Sequence, residues 1–272
     1  VLYNMADDNT LSTDKRIGAM WAMEGLATVH IELLRKLGND DHPNLRHEAI
    51  RIAGAQPHSS EDFVSVAGSL IEDPSPRVRA ALGDALRRIA DPDEQVVETM
   101  LRLGKAPLQA SANASPWEKY DRDFERFLAR WAMQEKPQTV KSFLESPAGK
   151  ALPVENRILA TLAIGGPDAA IQLAELLPKL DRPPTEEEIR TLSAHMGKAI
   201  VAEAIGELLQ EPATRVSTLK TFLSLRTRLN LSSVKPAIEA TTAALWRDSD
   251  DDDSRRLALR VAGEFQLASL DR

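Results

Sequence analysis

The feature that most constrains this chain is a short helical segment, led by an arginine and lined by alanine, that recurs along its length. Residues 46–54 are RHEAIRIAG and residues 255–263 are RRLALRVAG, which agree at two arginines, two alanines and the glycine. The copies lie far apart, so a local bias in composition does not explain them. Self-similarity of this kind is typical of arrays in which each unit buries its apolar face against the next.

Weaker copies of the segment lie before and between these two. Successive starts up to Arg157 are separated by roughly 30 to 47 residues, which is the usual length of a two-helix repeat. The stretch from Arg157 to Arg255 is longer, and we expect it to contain degenerate repeats. The weaker copies begin at Arg16, Arg79, Arg126, Arg157 and, as the poorest match, Arg215.

The segment has the physical properties of a helix that packs closely against its neighbours. Leu45, Ala49, Ile52 and Ala53 recur at helical spacing and form one apolar stripe. Small alanines at the centre allow a second helix to approach closely. Gly54 is expected to end the helix, where a left-handed residue is often needed.

The composition favours helices over strands in the rest of the chain. Hydrophobic residues make up 43% of it and aromatic residues only 4%, so the core must be mostly alanine, leucine, isoleucine and valine. Alanine and leucine are strong helix formers, whereas sheets prefer β-branched and aromatic residues. We count about fourteen or fifteen helical segments and no alternating run typical of a strand. The expected fold is all-α, an α-solenoid (alpha-alpha superhelix) of stacked helical pairs.

We expect a single repeat array over residues 1–272. Residues 105–120 are rich in Ala, Ser and Pro, which indicates an irregular loop that could divide the array into 1–104 and 121–272. A second break, LDRPPT at residues 180–185, contains a Pro-Pro pair that cannot lie inside a helix. The first residue is a valine and a helical pattern begins at once, so we expect a piece of a longer protein.

Two turns carry the arrangement Asp-x-x-Pro-x-aliphatic-Arg, which resembles the HEAT repeat. They are DDHPNLR, from Asp40 to Arg46, and DPSPRVR, from Asp73 to Arg79. In that family the aspartate and the arginine typically pair between successive units and keep the turns in register. The resemblance implies that Asp40 pairs with Arg46, that Asp73 pairs with Arg79, and that the array consists of HEAT-like helical pairs.

The resemblance covers most of the chain but is sharp only in these two units and in the last helix. Arg255 leads that last helix and is expected to serve the same register role. The units led by Arg126, Arg157 and Arg215 lack the Asp-x-x-Pro turn, so their register does not follow from the motif.

A narrower resemblance concerns three segments, RIGAMWAMEGL, DDHPNLRHEAIRIAG and SRRLALRVAGEFQL. They are similar to the HEAT region of large planctomycete-type proteins, which join a sugar-dehydrogenase-like propeller, HEAT repeats and a haem-binding CxxCH domain. The resemblance implies that this piece is a helical spacer in a redox protein that is periplasmic or exported. The redox chemistry would belong to other domains, since the haem attachment needs cysteine and this chain has none.

Composition and motifs argue against several classes of function. A net charge of −7 and a pI of about 5.4 are unlike a dedicated nucleic-acid binder, which shows a basic face. The absence of cysteine excludes thiolate nucleophiles and zinc–thiolate sites from this piece. We find no phosphate-binding loop, no catalytic motif and no apolar run long enough to cross a membrane. We therefore expect no catalytic residue, no cofactor and no metal.

The polar clusters favour structural roles. His42 and His47 are five residues apart, which is poor spacing for a shared metal on a helix. The acidic run 248–253 is expected to be a solvated turn that favours the N-terminus of the following helix. Glu186 to Glu188 are expected in the first turn of a helix capped by Thr185.

Four tryptophans are the remaining candidates for a binding role. Trp21 and Trp131 occupy equivalent positions of the repeat, in MWAM and RWAM, which predicts that both pack in the core. Trp117 and Tyr120 lie in the segment expected to be irregular, and exposed aromatic residues often anchor partners. These two are the predicted partner-binding residues.

The leading hypothesis is a non-catalytic protein-interaction or spacer module within a larger protein. Its partner would be another protein or adjacent domains of the same chain, with no nucleic acid and no membrane segment. We expect the helices that begin near the recurring arginines to share one side of the stack. The alternative is an enzyme, a HEAT-like DNA-base glycosylase or a chromophore lyase. The glycosylase would need clustered basic residues around Trp131 or Trp21.

Overall fold

The computed structural model describes residues 1–56, 58–104, 114–180, 182–226 and 232–267. These residues form seventeen α-helices and two short 3-10 turns, with no strand among them. The prediction of an all-α solenoid of stacked helical pairs is confirmed, although the helices outnumber the fourteen or fifteen counted in the sequence. In the described part of the chain no helix is long and apolar enough to cross a membrane.

The chain divides into two compact units, Val1–Ile164 and Gly165–Arg272. The helices of the first unit are α1 (Leu2–Asp7), α2 (Thr13–Gly25), α3 (Ile31–Leu37), α4 (Pro43–Ala55), α5 (Ser60–Ala67), α6 (Pro76–Arg88), α7 (Glu94–Gly104), α8 (Pro116–Gln134), α9 (Pro137–Glu145), α10 (Pro147–Ala151) and α11 (Val154–Ile164). A 3-10 turn at Gly68–Leu70 follows α5.

The second unit begins at a pair of glycines. Its helices are α12 (Gly166–Leu176), α13 (Glu186–Ser193), α14 (Ala199–Gln210), α15 (Pro212–Leu225), α16 (Lys235–Asp248) and α17 (Asp252–Phe265), with a 3-10 turn at Leu177–Lys179. Gly165 and Gly166 have φ angles of 69° and 77°, a conformation that glycine adopts at little cost.

The division between the units differs from the expected one at residues 105–120. The reason is that α8 packs against α6 and α7, which precede that segment, so the chain on both sides belongs to one body. Residues 105–113 lie outside the described residues, and residues 116–120 are helical rather than irregular. The other expected break, at residues 180–185, falls inside the second unit, ahead of α13.

Helices of the first unit form two layers. In one layer α2, α4, α6, α8 and α11 contact each other in that order, and these are the helices that carry the recurring arginine segments. In the other layer α3, α5, α7 and α9 contact each other in order. In the first layer α2, α4, α6 and α8 are each followed directly in the chain by their partner in the second layer, as in a two-helix repeat.

The apolar stripe of α4 lies in the core as expected. Leu45, Ala49, Ile52 and Ala53 are all fully buried. Gly54, however, does not end the helix, which continues to Ala55. Its role is contact with α6, because a Cβ added to Gly54 would lie 2.5 Å from the Cβ and 2.6 Å from the Cα of Ala85.

Within the second unit, several buried threonines donate their hydroxyls to backbone carbonyls, although the buried hydroxyl of Thr242 has no hydrogen-bond partner among the described residues. In α15 the hydroxyls of Thr218 and Thr221 donate to carbonyls four residues earlier, at 2.9 and 3.0 Å. The Thr241 hydroxyl of α16 donates to the Leu209 carbonyl of α14 at 3.0 Å. These bonds remove the cost of placing hydroxyls in a helical core.

The acidic clusters have the capping roles expected of them. Thr185 and Glu188 form a capping box at the start of α13, in which each side chain accepts a hydrogen bond from the other residue's backbone N–H. Asp251 caps α17 by accepting from the N–H groups of Asp253 and Ser254 at 3.2 and 3.0 Å. Both predictions are confirmed.

We expect Gly54→Ala to lower the free energy of unfolding by about 1–3 kcal/mol, because part of the obstructing α6 is backbone that cannot rotate away. Gly18→Ala is a matched control, since an added Cβ there meets no atom within 4 Å. It should leave stability unchanged or raise it by up to about 1 kcal/mol. Urea unfolding followed by circular dichroism measures both, and equal effects would contradict the close contact of α4 with α6.

Candidate functional site

A ladder of largely buried arginines connects the turns of successive repeats in the first unit. Arg46 Nε and Nη2 donate to the two carboxylate oxygens of Asp73 at 2.6 and 2.9 Å. Its Nη1 donates to the backbone carbonyl of Asp40 at 2.8 Å. Both side chains of the ion pair are largely buried, with 12% of Arg46 and 3% of Asp73 exposed.

The same geometry occurs on each side of this pair. Arg16 donates to the Asp40 carboxylate at 2.7 Å and to a backbone carbonyl of α1 at 2.9 Å. Arg79 donates to the Glu125 carboxylate at 2.8 Å and also to the backbone carbonyl of Asp73. Each arginine therefore takes a carbonyl from the chain ahead of its own helix and a carboxylate from the next repeat. We call these three arginines and their carboxylates the arginine ladder.

The pairing implied by the family motif differs from the observed one. The expected partners were Asp40 for Arg46 and Asp73 for Arg79, yet in both cases the arginine contacts only the backbone carbonyl of that aspartate. The reason is that each aspartate carboxylate accepts from the N–H two residues on, at 2.9 and 2.8 Å, and faces the arginine of the preceding repeat. Arg255 is half-buried and has no carboxylate partner among the residues that the structure describes.

A row of exposed aromatic side chains runs along α8, and we call it the aromatic row. The exposed fractions fall between 38% and 77%. Neighbouring ring centroids from the second to the fifth member are 6.3, 6.3 and 5.9 Å apart. The members are Trp117, Tyr120, Phe124, Phe127 and Trp131.

Trp117 and Tyr120 lie in the first turns of α8 and not in an irregular segment as expected. Ser115 caps the helix by accepting from the Glu118 N–H at 3.2 Å, and the Glu118 carboxylate accepts from the Ser115 N–H at 2.6 Å. Pro116 occupies the first helical position, where its missing N–H costs nothing. This capping box starts the helix early enough to include both aromatic residues.

The other members of the row were missed in the sequence, although their spacing was visible. The five aromatic residues follow each other at intervals of three, four, three and four, so they share one face of the helix. The buried face of α8 carries Glu125, Leu128, Ala129, Ala132 and Met133. The two faces are separated by about 120° around the helix axis, at 100° per residue. The helix therefore has one apolar stripe in the core and a second one in solvent.

One arginine of α6 and one of α8 itself border the C-terminal half of the row. The guanidinium of Arg87 in α6 lies 4.4 Å from the ring centroid of Trp131, a cation–π contact. Arg87 also pairs with Asp84 at 3.1 Å and with Glu135 at 3.6 Å. On the other side, Arg130 Nη2 donates to a carbonyl of α11 at 3.3 Å. Burial, followed by repulsion from Arg126, lowers the pKa of Arg130.

Trp21 and Trp131 are exposed, contrary to the prediction that both pack in the core. Trp21 is 55% exposed and Trp131 is 38% exposed. Their repeat position lies on the solvent side of the helix, where Trp21 finds a hydrogen-bond acceptor and Trp131 lies under the Arg87 guanidinium. Trp21 Nε1 donates to the Glu48 carboxylate at 2.8 Å, and Arg51 Nε donates to the same oxygen at 2.7 Å.

These contacts set the ionisation of Glu48. Burial alone would raise the pKa of this carboxyl, but the hydrogen bonds from Trp21 and Arg51 outweigh it and lower the pKa below the ordinary value. Arg51 also forms a bidentate pair with Glu24, at 3.0 and 2.5 Å. The carboxylate is therefore held in its charged form at neutral pH.

The surroundings of the two tryptophans are mixed in charge. Arg51, beside Trp21, is paired with Glu24 and Glu48. Arg87, over Trp131, is paired with two carboxylates as described above. A glycosylase of this fold would need an excess of basic side chains at such a tryptophan to hold phosphates, whereas Arg51 and Arg87 are each matched by two carboxylates.

We expect Asp73→Asn to lower the free energy of unfolding by about 3 kcal/mol, since it leaves the largely buried Arg46 guanidinium without a charged partner. Glu186→Gln is the matched control, because the Arg190–Glu186 pair is 57% and 58% exposed. Removing that pair should cost less than about 0.5 kcal/mol. Urea unfolding measures both variants, and similar losses would show that the ladder contributes no more than a surface ion pair.

We expect Trp21→Phe to destabilise the protein by about 1 kcal/mol at pH 7, because the Glu48 carboxylate loses a hydrogen bond. Since the pKa of Glu48 is lowered in the fold, its contribution is present above the ordinary value of about 4.3. That contribution is lost as pH falls through the folded-state pKa, so the cost of the substitution should shrink towards pH 3. Trp246→Phe, with no hydrogen bond to a carboxylate, should show no such trend in unfolding measured at pH 7 and pH 3.

Comparison with known families gives a match over the middle of the arginine ladder. Residues 31–112 match the family model for HEAT repeats. Within the described residues this segment holds α3 to α7, including the Arg46–Asp73 pair. No curated protein matches the chain.

Among solved structures, the chain is similar to human deoxyhypusine hydroxylase in complex with glycerol. The two share 17% sequence identity, and the alignment covers 97% of this chain and 94% of that one, with a TM-score of 0.36. The family match ends at residue 112, so α8 with its aromatic row lies beyond the matched residues.

Proposed function

We propose that this chain is a non-catalytic interaction module and that the aromatic row is the surface through which the first unit binds a protein partner. The observation that carries the proposal is the presence of five exposed aromatic side chains on one face of α8. HEAT repeats, which this chain contains, are helical stacks commonly used to bind proteins.

The exposed aromatic surface needs a reason beyond folding. The solvent side of a helix is ordinarily charged or polar, and polar residues at these five positions would leave the buried face of α8 unchanged. The row exposes roughly 500 Å² of aromatic surface, given the size of such side chains. Contiguous apolar patches of this size on a monomer are often functional. Tryptophan and tyrosine are also the residues most enriched among binding hot spots.

The row is held by a rigid support. Glu125 is buried beneath it and accepts from Arg79 and Arg122, which ties α8 to α6. Leu128, one turn further, lies against Gly83 of α6. A Cβ added to Gly83 would lie 2.7 Å from the Cβ of Leu128. A partner therefore meets side chains on a fixed helix, so less conformational entropy is lost on binding than with a loop.

The remaining hypotheses rest on sequence alone. A spacer role in a larger redox protein, with adjacent domains of the same chain as partners, is supported only by the resemblance to planctomycete-type proteins. The glycosylase and lyase alternatives gain nothing from the charge-balanced tryptophan sites. The interaction role is the one that a described surface favours.

The proposal is tested by placing a photoreactive phenylalanine analogue at Phe127 and identifying what it cross-links in extracts of the source cells. The captured protein is then purified and its affinity for the unmodified chain is measured by calorimetry. Phe127→Ala should weaken binding by about thirty-fold, the effect of losing a hot-spot side chain of about 2 kcal/mol.

Leu259→Ala is the matched control, because Leu259 is an apolar side chain of α17 that is 52% exposed and lies outside the row. This variant should bind as tightly as the native chain. A captured partner whose affinity is equally insensitive to both substitutions would refute the role of the row.

A further inference from the structure

We propose that the aromatic row binds a second copy of this chain, with the two α8 helices packed antiparallel about a two-fold axis. The inference rests on the proposed function and names its partner. It depends on three observations: the spacing of the row, the charges on its flanks and its area.

The spacing of the row fits a helix better than any flat surface. Intervals of three, four, three and four residues place the rings at the a and d positions of two heptads. A seam of this kind inserts its side chains between those of a second helix laid along it. From Trp117 to Trp131 the row is about 21 Å long, at 1.5 Å per residue. The natural occupant is a helix of similar length with a matching apolar seam.

Charges on the flanks of the row differ between its two halves. The N-terminal half is bordered by Asp121 and Asp123, neither of which has an ion-pair partner among the residues that the structure describes. The C-terminal half is bordered by Arg87 on one flank and Arg130 on the other. Arg87 is paired within the chain with Asp84 at 3.1 Å and with Glu135 at 3.6 Å, so the positive character of this half comes chiefly from Arg130.

This asymmetry makes the surface complementary to itself. Two copies in antiparallel orientation bring the acidic half of one row against the arginine-bordered half of the other, twice by symmetry. Two copies in parallel orientation bring like charges together. A self-complementary patch is what a two-fold interface requires, since the same residues form both sides.

Heptad packing in the antiparallel orientation fixes the register. Positions a and d alternate across the interface, so Phe124 faces Phe127 of the second copy and Tyr120 faces its Trp131. At the end of the seam, Trp117 faces Gln134 of the second copy. Asp123 then lies beside Arg130 of the second copy, and Asp121 beside its Arg87.

The area indicates a weak but specific dimer. About 500 Å² of aromatic surface on each copy buries roughly 1,000 Å² in total, close to the lower limit for a specific interface. We therefore expect association in the micromolar range, visible as a concentration-dependent mass.

Sedimentation equilibrium on the native chain from about 1 to 100 µM tests the inference first. The native chain should shift from monomer to dimer, and Phe127→Asp should raise the dissociation constant at least thirty-fold. Leu259→Asp, the same change outside the row, should leave it unaltered, and circular dichroism checks that both variants fold. A native chain that remains monomeric throughout, or a dimer unaffected by Phe127→Asp, overturns the inference.

Cysteine cross-linking tests the orientation, and the absence of native cysteine makes its result unambiguous. Under mild oxidation, a mixture of Trp117→Cys and Gln134→Cys chains should form a mixed disulfide dimer. Each variant alone should form little, since like positions would be about 25 Å apart in the antiparallel register. A prominent disulfide between two Trp117→Cys chains would indicate parallel packing and refute the proposal. The control is Lys15→Cys, an exposed site on α2. The proposal is also refuted if the mixture of Trp117→Cys and Gln134→Cys chains yields no more disulfide dimer than a mixture that contains Lys15→Cys.

The two proposals fail separately. If the chain is monomeric and its captured partner is another protein whose binding needs Phe127, the second-copy inference is wrong and the interaction role remains. If neither self-association nor partner binding depends on the row, both are wrong.

Discussion

The geometry of the first unit depends on a guanidinium that serves two turns at once. Arg46 binds the carbonyl ahead of its own helix and the carboxylate of Asp73 in the next turn. Planar, bidentate recognition fixes orientation as well as distance. Burying such a pair yields little net stability compared with an apolar contact, but breaking it is costly. Its main effect is to allow only one register between neighbouring repeats, and the apolar stripes then pack in that register.

The register also determines where the aromatic row lies. Arg79 reaches forward to Glu125, which is buried on α8, and so sets the rotation of that helix about its axis. With Glu125 turned inward, helical geometry places Phe124 and Phe127 on the solvent side. The exposed surface is thus a consequence of the same interaction that holds the stack together. One orientation of α8 therefore has two results: it places Glu125 in the core, and it places the neighbouring aromatic residue in solvent.

Sequence reasoning was most successful where periodicity alone decides the outcome. The buried stripe of Leu45, Ala49, Ile52 and Ala53 follows from helical spacing, and so do the fold class and the caps at Thr185 and Asp251. It was less successful where a residue has two geometrically possible partners. Local spacing suggests an aspartate within the same turn for each ladder arginine, and only the three-dimensional stack shows that the carboxylate comes from the next repeat.

The aromatic row was missed for a different reason. Apolar residues at helical spacing usually mark a core, and in Trp131 a match to the repeat strengthened that assumption. A helix with two apolar stripes cannot show from its sequence which stripe is covered. Trp117 and Tyr120 are exposed as predicted, but for another reason. The prediction assumed an irregular segment, whereas both residues lie on the solvent side of a well-capped helix.

The forward-reaching arginine has a consequence for how such a chain can change in length. The repeats led by Arg46 and Arg79 each bring one cation that pairs with the following repeat and one anion that pairs with the preceding repeat. Duplicating or deleting a whole repeat of this kind therefore leaves no buried charge without an ion-pair partner. The interval from Arg79 to Glu125 is 46 residues, compared with 27 from Arg46 to Asp73, so extra chain can enter between two repeats while the pairing survives. Arrays of this design can grow by whole modules and tolerate insertions between them.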